Sequence, residues 1–190
     1  MKKTIIKMKL SSRADFIETL NEIEFNFSPP YWQHDRVFVP KRFTRDKDMQ
    51  RLSLRTIVKD PEKKATYALV MRRHFEDDKF DLVNATVVKD YSETAHILYQ
   101  LGYELRYEVS RRREELRMGE SVSVYIDKID GLPGYYARIE SDLSDKDDPA
   151  EAYNDILDTF KVLRVNGRPI NETYGEILES SKSDPMEKIS

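Results

Sequence analysis

Apolar and polar residues alternate with a period of two along much of the chain, a pattern that predicts β-strands. In 51–58, the even positions are Leu, Leu, Thr and Val, whereas the odd positions begin Arg, Ser, Arg. The segments 103–113, 121–128 and 135–141 alternate in the same way. Many strands joined by short turns favour an antiparallel sheet, either open or closed into a barrel.

Helical spacing of apolar residues is confined to a few segments that have clear start or stop signals. We predict helices over 12–21, 92–101 and 149–163, together with a short last helix over 172–178. Their predicted N-caps are Ser12, Ser92 and Asp148 for the first three. The predicted fold class is therefore α+β, an antiparallel β-barrel or tunnel flanked by helices.

The length of 190 residues predicts one domain, which we place at 1–179, followed by a flexible tail at 180–190. The chain has no cysteine, which excludes disulfides, thiolate metal sites and a cysteine nucleophile. The longest unbroken apolar run covers only the five residues 67–71, so no membrane segment is predicted. The basic N-terminus lacks the apolar region of a signal peptide, and a cytoplasmic location is expected.

Charged residues make up 35% of the sequence and are unevenly distributed. Residues 1–80 carry 18 Lys and Arg against 12 Asp and Glu, whereas residues 121–190 carry 8 against 15. Charge runs usually face water, and a solvated mixed surface explains the distribution. The alternative is a protein that handles an anion, with or without a cation.

Charged side chains also occupy one face of several predicted strands, and a closed sheet would bring them into a tunnel. Guanidinium and ammonium groups there would grip the oxygens of a triphosphate, nucleotide or polyphosphate, and carboxylates would hold Mg²⁺ or Mn²⁺. The predicted phosphate-binding residues are Lys9, Arg55, Arg72, Arg111, Arg113 and Arg138, and the predicted metal ligands are Asp127 and Glu140. The sequence has no glycine-rich phosphate loop and no nucleophile elbow. His34, His74 and His96 lie far apart and are predicted to be surface or packing residues.

The order of short motifs resembles the CYTH family, the triphosphate tunnel enzymes, which include class IV adenylyl cyclases and thiamine triphosphatases. The similar segments are 33–38, 52–55, 67–72, 101–103, 111–113, 126–140 and 173–178. The resemblance spans residues 4–178 and implies a β-barrel tunnel that acts on a triphosphate with a divalent metal ion. Each motif is weak alone, so the common order carries the resemblance.

The departures from the family pattern fall on its acidic residues. Ile5 and Lys7 stand where the first strand has two glutamates, Arg138 replaces an acid, and 83–86 lacks the usual acidic motif. We therefore expect Mg²⁺ or Mn²⁺ to be held only weakly. The sequence assigns no catalytic residue.

Three functions remain open on sequence alone. The first is an enzyme that hydrolyses a triphosphate or cyclises ATP. The second is a non-catalytic sensor or scaffold that binds a phosphate ligand, and the third is a β-rich adaptor for nucleic acid or an acidic protein. A membrane partner is not expected, nucleic acid is disfavoured by the net charge of −3, and the oligomeric state is undetermined. Arg111 and Arg113 share one strand face, and replacing either by Ala is expected to weaken ligand binding with little loss of stability.

Overall fold

The computed structural model of the chain describes residues 1–42, 50–60, 62–75 and 79–183. Within these ranges, eight strands and four helices follow one another along the chain. They are β1 (Lys2–Leu10), α1 (Arg13–Glu22), β2 (Tyr31–Pro40), β3 (Gln50–Val58), β4 (Thr66–Phe75), β5 (Phe80–Val88), α2 (Tyr91–Gln100), β6 (Tyr103–Met118), β7 (Val122–Ile129), β8 (Tyr135–Leu143), α3 (Pro149–Val162) and α4 (Tyr174–Ser183).

The strands form one antiparallel sheet that closes into a barrel in the order β1-β5-β4-β3-β2-β6-β7-β8. β1 closes the ring by pairing with β8 along its whole length and with β5 through Lys2 and Lys3. The sequence-based fold class, an α+β antiparallel barrel flanked by helices, is confirmed.

The apolar side chains of the sheet face outward, towards the helices. Ile6 and Ala137, from β1 and β8, share one buried cluster with Leu20 of α1 and Phe160 of α3. Because side chains alternate along a strand, this packing directs the neighbouring position Lys7 into the barrel. The main core therefore lies between the sheet and the helices, and charged residues share the barrel interior with a few apolar side chains such as Val70 and Val109.

Two of the predicted helix starts agree with the structure and one does not. The side chains of Ser12 and Asp148 accept hydrogen bonds from the first turns of α1 and α3, as predicted. The N-cap of α2 is Asp90 instead of Ser92, because the Asp90 carboxylate accepts from the backbone N–H of Glu93.

The C-terminal helix α4 is longer than predicted and continues past residue 179, where we placed the domain boundary. Residues 184–190 of the predicted tail lie outside the described residues. In the described part of the chain, no helix is both long and apolar enough to span a bilayer.

Candidate functional site

Charged side chains from all eight barrel strands meet inside the barrel. The charged strand residues that line its cavities or pair with one another there are Lys3, Lys7, Asp35, Arg51, Arg55, Arg72, Asp81, Arg111, Arg113, Asp127, Arg138 and Glu140. Seven of the eight sequence-predicted site residues are in this set. The exception is Lys9, which is exposed near the end of β1, opposite Tyr136, and lines neither cavity described below.

Asp35 is the centre of one buried cluster. Its carboxylate accepts hydrogen bonds from Nε of Arg55 at 2.7 Å, from Nη2 of Arg111 at 2.5 Å and from the amide of Gln33 at 2.8 Å. Burial alone would raise the pKa of Asp35, but the two guanidiniums outweigh it and hold the pKa well below its usual range. Asp35 is therefore an anion already neutralised by the protein.

Asp127 is the centre of a second buried cluster. Arg113 grips it with two parallel hydrogen bonds, from Nε at 2.6 Å and from Nη2 at 2.7 Å, and the hydroxyl of Tyr174 donates a third at 3.2 Å. Asp127 is 0% exposed and Arg113 is 4% exposed. This burial argues against our expectation that replacing Arg113 by Ala costs little stability. Removing either partner leaves an unpaired charge out of contact with water.

Glu140 completes the set of buried acids on β7 and β8. It forms ion pairs with Arg138 and with Nζ of Lys3, the latter at 3.2 Å. Burial would raise the pKa of Glu140, but Arg138, Arg72 and Lys3 together lower it to about 2.

The two predicted metal ligands do not form one metal site. Ser123 of β7 pairs with Glu140, and Asp127 lies four residues further along β7. The backbone positions of Asp127 and Ser123 are therefore about 13 Å apart along the strand. Each carboxylate is held by its own arginine, and a divalent cation needs several oxygens within about 2.6 Å. Within the described residues, no group of three or more His, Asp or Glu could hold a metal ion. Among the residues that the structure describes, the donor set does not fit the metal ion that the resemblance implies.

Two adjoining cavities run through the polar interior. The inner cavity, of about 80 Å³, is lined by Asp35, Arg55, Arg111, Arg138 and Tyr174, among others. The outer cavity, of about 290 Å³, is lined by His74, Lys79, Phe80, Asp81 and Tyr153, among others. Lys7, Arg51, Arg72 and Thr173 line both. The tunnel predicted from the strand faces is therefore present, and basic side chains dominate where its two parts meet.

Lys7 lies at this junction among other cations. Burial, the charge of Arg138 and the charge of Arg72 together lower the pKa of Lys7 to about 7. Its ammonium group donates a hydrogen bond to the backbone carbonyl of Glu172. A protein that crowds three cations in this way provides a site where an anion is strongly favoured.

The start of α4 closes one side of the tunnel. Gly175 lies so near Tyr107 that a Cβ there would come within 2.1 Å of the ring, so only glycine fits. Beside it, Glu176 pairs with Nη2 of Arg51 at 2.9 Å, and the Tyr174 ring lies under the guanidinium of Arg111 at 5.3 Å. The helix start is therefore fixed to the barrel by packing and by charge.

Sequence reasoning did not assign Asp35, Asp81, Tyr174 or the position of His74 to the site. Asp35 could have been found, because it shares a strand face with Gln33 in the polar alternation of 33–38. Asp81 and His74 are opposite each other only through the β4–β5 register, which the sequence does not reveal.

Comparisons with known proteins support the fold. No family model matches the chain, and no curated protein matches it either. The PH1819 protein of Pyrococcus horikoshii OT3 is similar in structure, with a TM-score of 0.78 and 20% identity over 94% of this chain and 99% of that chain. A protein named as a putative adenylate cyclase from Vibrio parahaemolyticus has a TM-score of 0.76 and 17% identity, and covers 93% of this chain and 97% of its own.

A third similar structure is the putative adenylyl cyclase HpAC1 from Hippeastrum, described as having a dominant triphosphatase activity. Its TM-score is 0.60 at 14% identity, and the match covers 98% of this chain and 99% of that chain. Likeness at such low identity is evidence about the fold alone. The fold predicted from the motif order is thereby confirmed: this chain has the triphosphate tunnel fold of CYTH-type proteins.

Proposed function

We propose that this protein binds a triphosphate, a nucleotide or an inorganic polyphosphate in its basic tunnel, and that it does so without a divalent metal ion. The fold of the similar structures supports the ligand class, since two of them are named as adenylate or adenylyl cyclases. The residues inside this barrel support binding by cationic side chains instead of by a metal bridge.

One observation carries the proposal. The Nε atoms of Arg111 and Arg138 are buried and have no hydrogen-bond partner within the described part of the chain. Both residues line the inner cavity, and each is 5% exposed. A buried N–H without a partner is costly, and a phosphate oxygen in the cavity would satisfy it with a charge-assisted hydrogen bond.

Electrostatics points the same way. Burial and the nearby guanidiniums of Arg138 and Arg72 lower the pKa of Lys7, so keeping this ammonium charged carries an energetic cost. A polyanion placed among Lys7, Arg72 and Arg138 removes that repulsion and gains favourable contacts, each of the order of 4 kcal/mol at about 4 Å in a medium of effective dielectric 20. The acids of the inner cavity do not oppose the anion strongly, because Asp35 is already paired with Arg55 and Arg111.

Calorimetric titration tests the proposal with tripolyphosphate, pyrophosphate and orthophosphate as ligands. We expect affinity to rise with the number of phosphates, because a longer anion reaches both cavities. Arg138→Gln should weaken tripolyphosphate binding by about tenfold or more, since it removes a charged donor. Arg112→Gln, on the opposite face of its strand from Arg111 and Arg113, is the matched control and should bind as the wild type does. Absence of tripolyphosphate binding to the wild type would contradict the proposal.

A further inference from the structure

The outer cavity contains a histidine–aspartate pair that the binding function does not require. Nδ1 of His74 lies 2.6 Å from Oδ1 of Asp81, across the β4–β5 pairing. Asp81 is 7% exposed, whereas the His74 side chain is 51% exposed and lines the cavity. The hydrogen bond occupies Nδ1, so Nε2 is the ring nitrogen that remains for a ligand in the cavity.

The hydrogen bond also selects the tautomer of the neutral ring. Burial would raise the pKa of Asp81, but the hydrogen bond from His74 and the charge of Arg72 lower it overall, so the carboxylate stays ionised. An ionised Asp81 accepts a hydrogen bond, which places the imidazole proton on Nδ1. In the neutral ring with this tautomer, Nε2 carries the lone pair, as a nucleophile requires.

The cations around the pair suit phosphoryl transfer. Arg72 shares its strand face with His74 two residues away, about 6.6 Å along the strand, and is paired with Asp81 at 3.4 Å. Lys7 and Arg51 line the same cavity, and Glu176 is the acid that faces it from α4. An anion held by Arg72 and Lys7 therefore has its next phosphate near His74.

The geometry points to His74 as a nucleophile that accepts the terminal phosphoryl group of a tunnel-bound triphosphate or polyphosphate, with Asp81 as its positioning residue. This inference rests on the proposed binding function and adds a reaction to it. It assigns to arginine and lysine side chains the charge neutralisation that a metal ion performs in other phosphoryl transfer sites.

The reaction proceeds in two balanced steps. In the first, the Nε2 lone pair forms a P–N bond to the terminal phosphorus, the bridging P–O bond breaks, and its electron pair leaves with the shortened phosphate chain. Asp81 balances the positive charge of the phosphorylated imidazole through the Nδ1 hydrogen bond. In the second step, water attacks the phosphorus, the P–N bond breaks, its electron pair returns to Nε2, and orthophosphate leaves with one water proton released to solvent.

The test is acid-labile phosphorylation of the protein. The wild type is mixed with tripolyphosphate in the presence of EDTA, quenched with alkali at times from one turnover onward, and analysed by intact mass and by phosphorus NMR. We expect one phosphoryl group per chain, stable in alkali and lost in acid, together with pyrophosphate release. His96→Gln is the matched control, because His96 is an exposed histidine of α2 that contacts Gln100, and it should be labelled like the wild type.

Two variants separate this inference from the binding function. His74→Gln should bind tripolyphosphate in calorimetry within about threefold of the wild type, since Arg72 and Lys7 remain, but should acquire no phosphoryl group. Asp81→Asn should be labelled about tenfold more slowly or worse, because the tautomer and orientation of the ring are no longer fixed. A wild type that binds tripolyphosphate but acquires no phosphohistidine, or a His74→Gln protein that is still labelled, would overturn the inference and leave the binding function standing. No binding to the wild type would overturn both.

Discussion

The buried acid–arginine clusters and the outer cavity both contain carboxylates and guanidiniums, but they differ in how far these charges are paired within the protein. In the clusters, Asp127 is gripped by Arg113 and shielded by Tyr174, so its hydrogen bonds are complete within the protein. In the outer cavity, His74 is half exposed, and Lys7 is crowded by cations. The comparison teaches that a charged residue inside a tunnel is not necessarily a ligand-binding residue. A charge that is already paired within the protein has few hydrogen-bonding groups left for a ligand.

The largest expected effect tests the structural half of this comparison. Asp127→Asn keeps the side-chain size but leaves the buried guanidinium of Arg113 without a counter-charge. The free energy of unfolding should fall by about 3–5 kcal/mol in chemical denaturation. Asp130→Asn, at an exposed position just after β7, is the control and should change stability by about 0.5 kcal/mol or less. A loss of less than about 1 kcal/mol in Asp127→Asn would mean that the cluster does not hold the barrel together.

The next effect tests the binding half. Arg72→Gln should weaken tripolyphosphate binding by about 10- to 150-fold, the range for losing a charged hydrogen-bond donor. Its stability should change less than that of Asp127→Asn, because Asp81 keeps its hydrogen bond to His74. The control is Arg106→Gln, which removes an arginine that is paired with Glu179 on an exposed surface. Equal binding by the two variants would remove Arg72 from the site.

A smaller effect concerns the pH dependence of Lys7. Its pKa of about 7 lies below the ordinary lysine value of 10.5, so the unfolded chain binds the proton more readily between these two values. This group therefore makes the free energy of unfolding rise with pH from about 7 to 10.5, and Lys7→Gln should lose that contribution.

Binding of a phosphate anion has the opposite dependence on pH. The anion favours the protonated ammonium, so binding should take up a proton above pH 7, and this contribution should weaken affinity as pH rises from 7 to 9. Calorimetry in buffers of different ionisation enthalpy measures the uptake directly, and Lys7→Gln corrects for protons that the ligand itself exchanges. Identical proton uptake by wild type and Lys7→Gln would show that Lys7 does not touch the anion.

Much of the fold could be predicted from the sequence, because period-two alternation and helix caps are local signals. The alternation of 51–58 and the caps Ser12 and Asp148 are examples that the structure confirms. The closing of the sheet was predicted from the polar strand faces and from the motif order. In an open sheet these polar faces would be exposed to solvent, whereas in a closed sheet they line a tunnel.

The site was harder to predict, because pairing across strands decides which charges are free. The sequence placed Asp127 and Glu140 on neighbouring strands and suggested a shared metal ion. The register puts Asp127 opposite Tyr136 and Glu140 opposite Ser123, with Arg138 facing Tyr125 between them. Similarly, His74 had no nearby ligand in sequence, and only the β4–β5 register gives it Asp81. Long-range register is a tertiary property that strand alternation alone does not determine.

The most direct test of the account is the metal dependence of tripolyphosphate binding. The wild type is titrated calorimetrically with tripolyphosphate in EDTA, and the titration is repeated with saturating Mg²⁺. The account predicts binding in EDTA that is at least as tight as binding with Mg²⁺, because the metal competes with Arg111, Arg138 and Lys7 for the same phosphate oxygens. Binding that requires Mg²⁺ and disappears in EDTA would contradict the claim that basic side chains alone hold the anion.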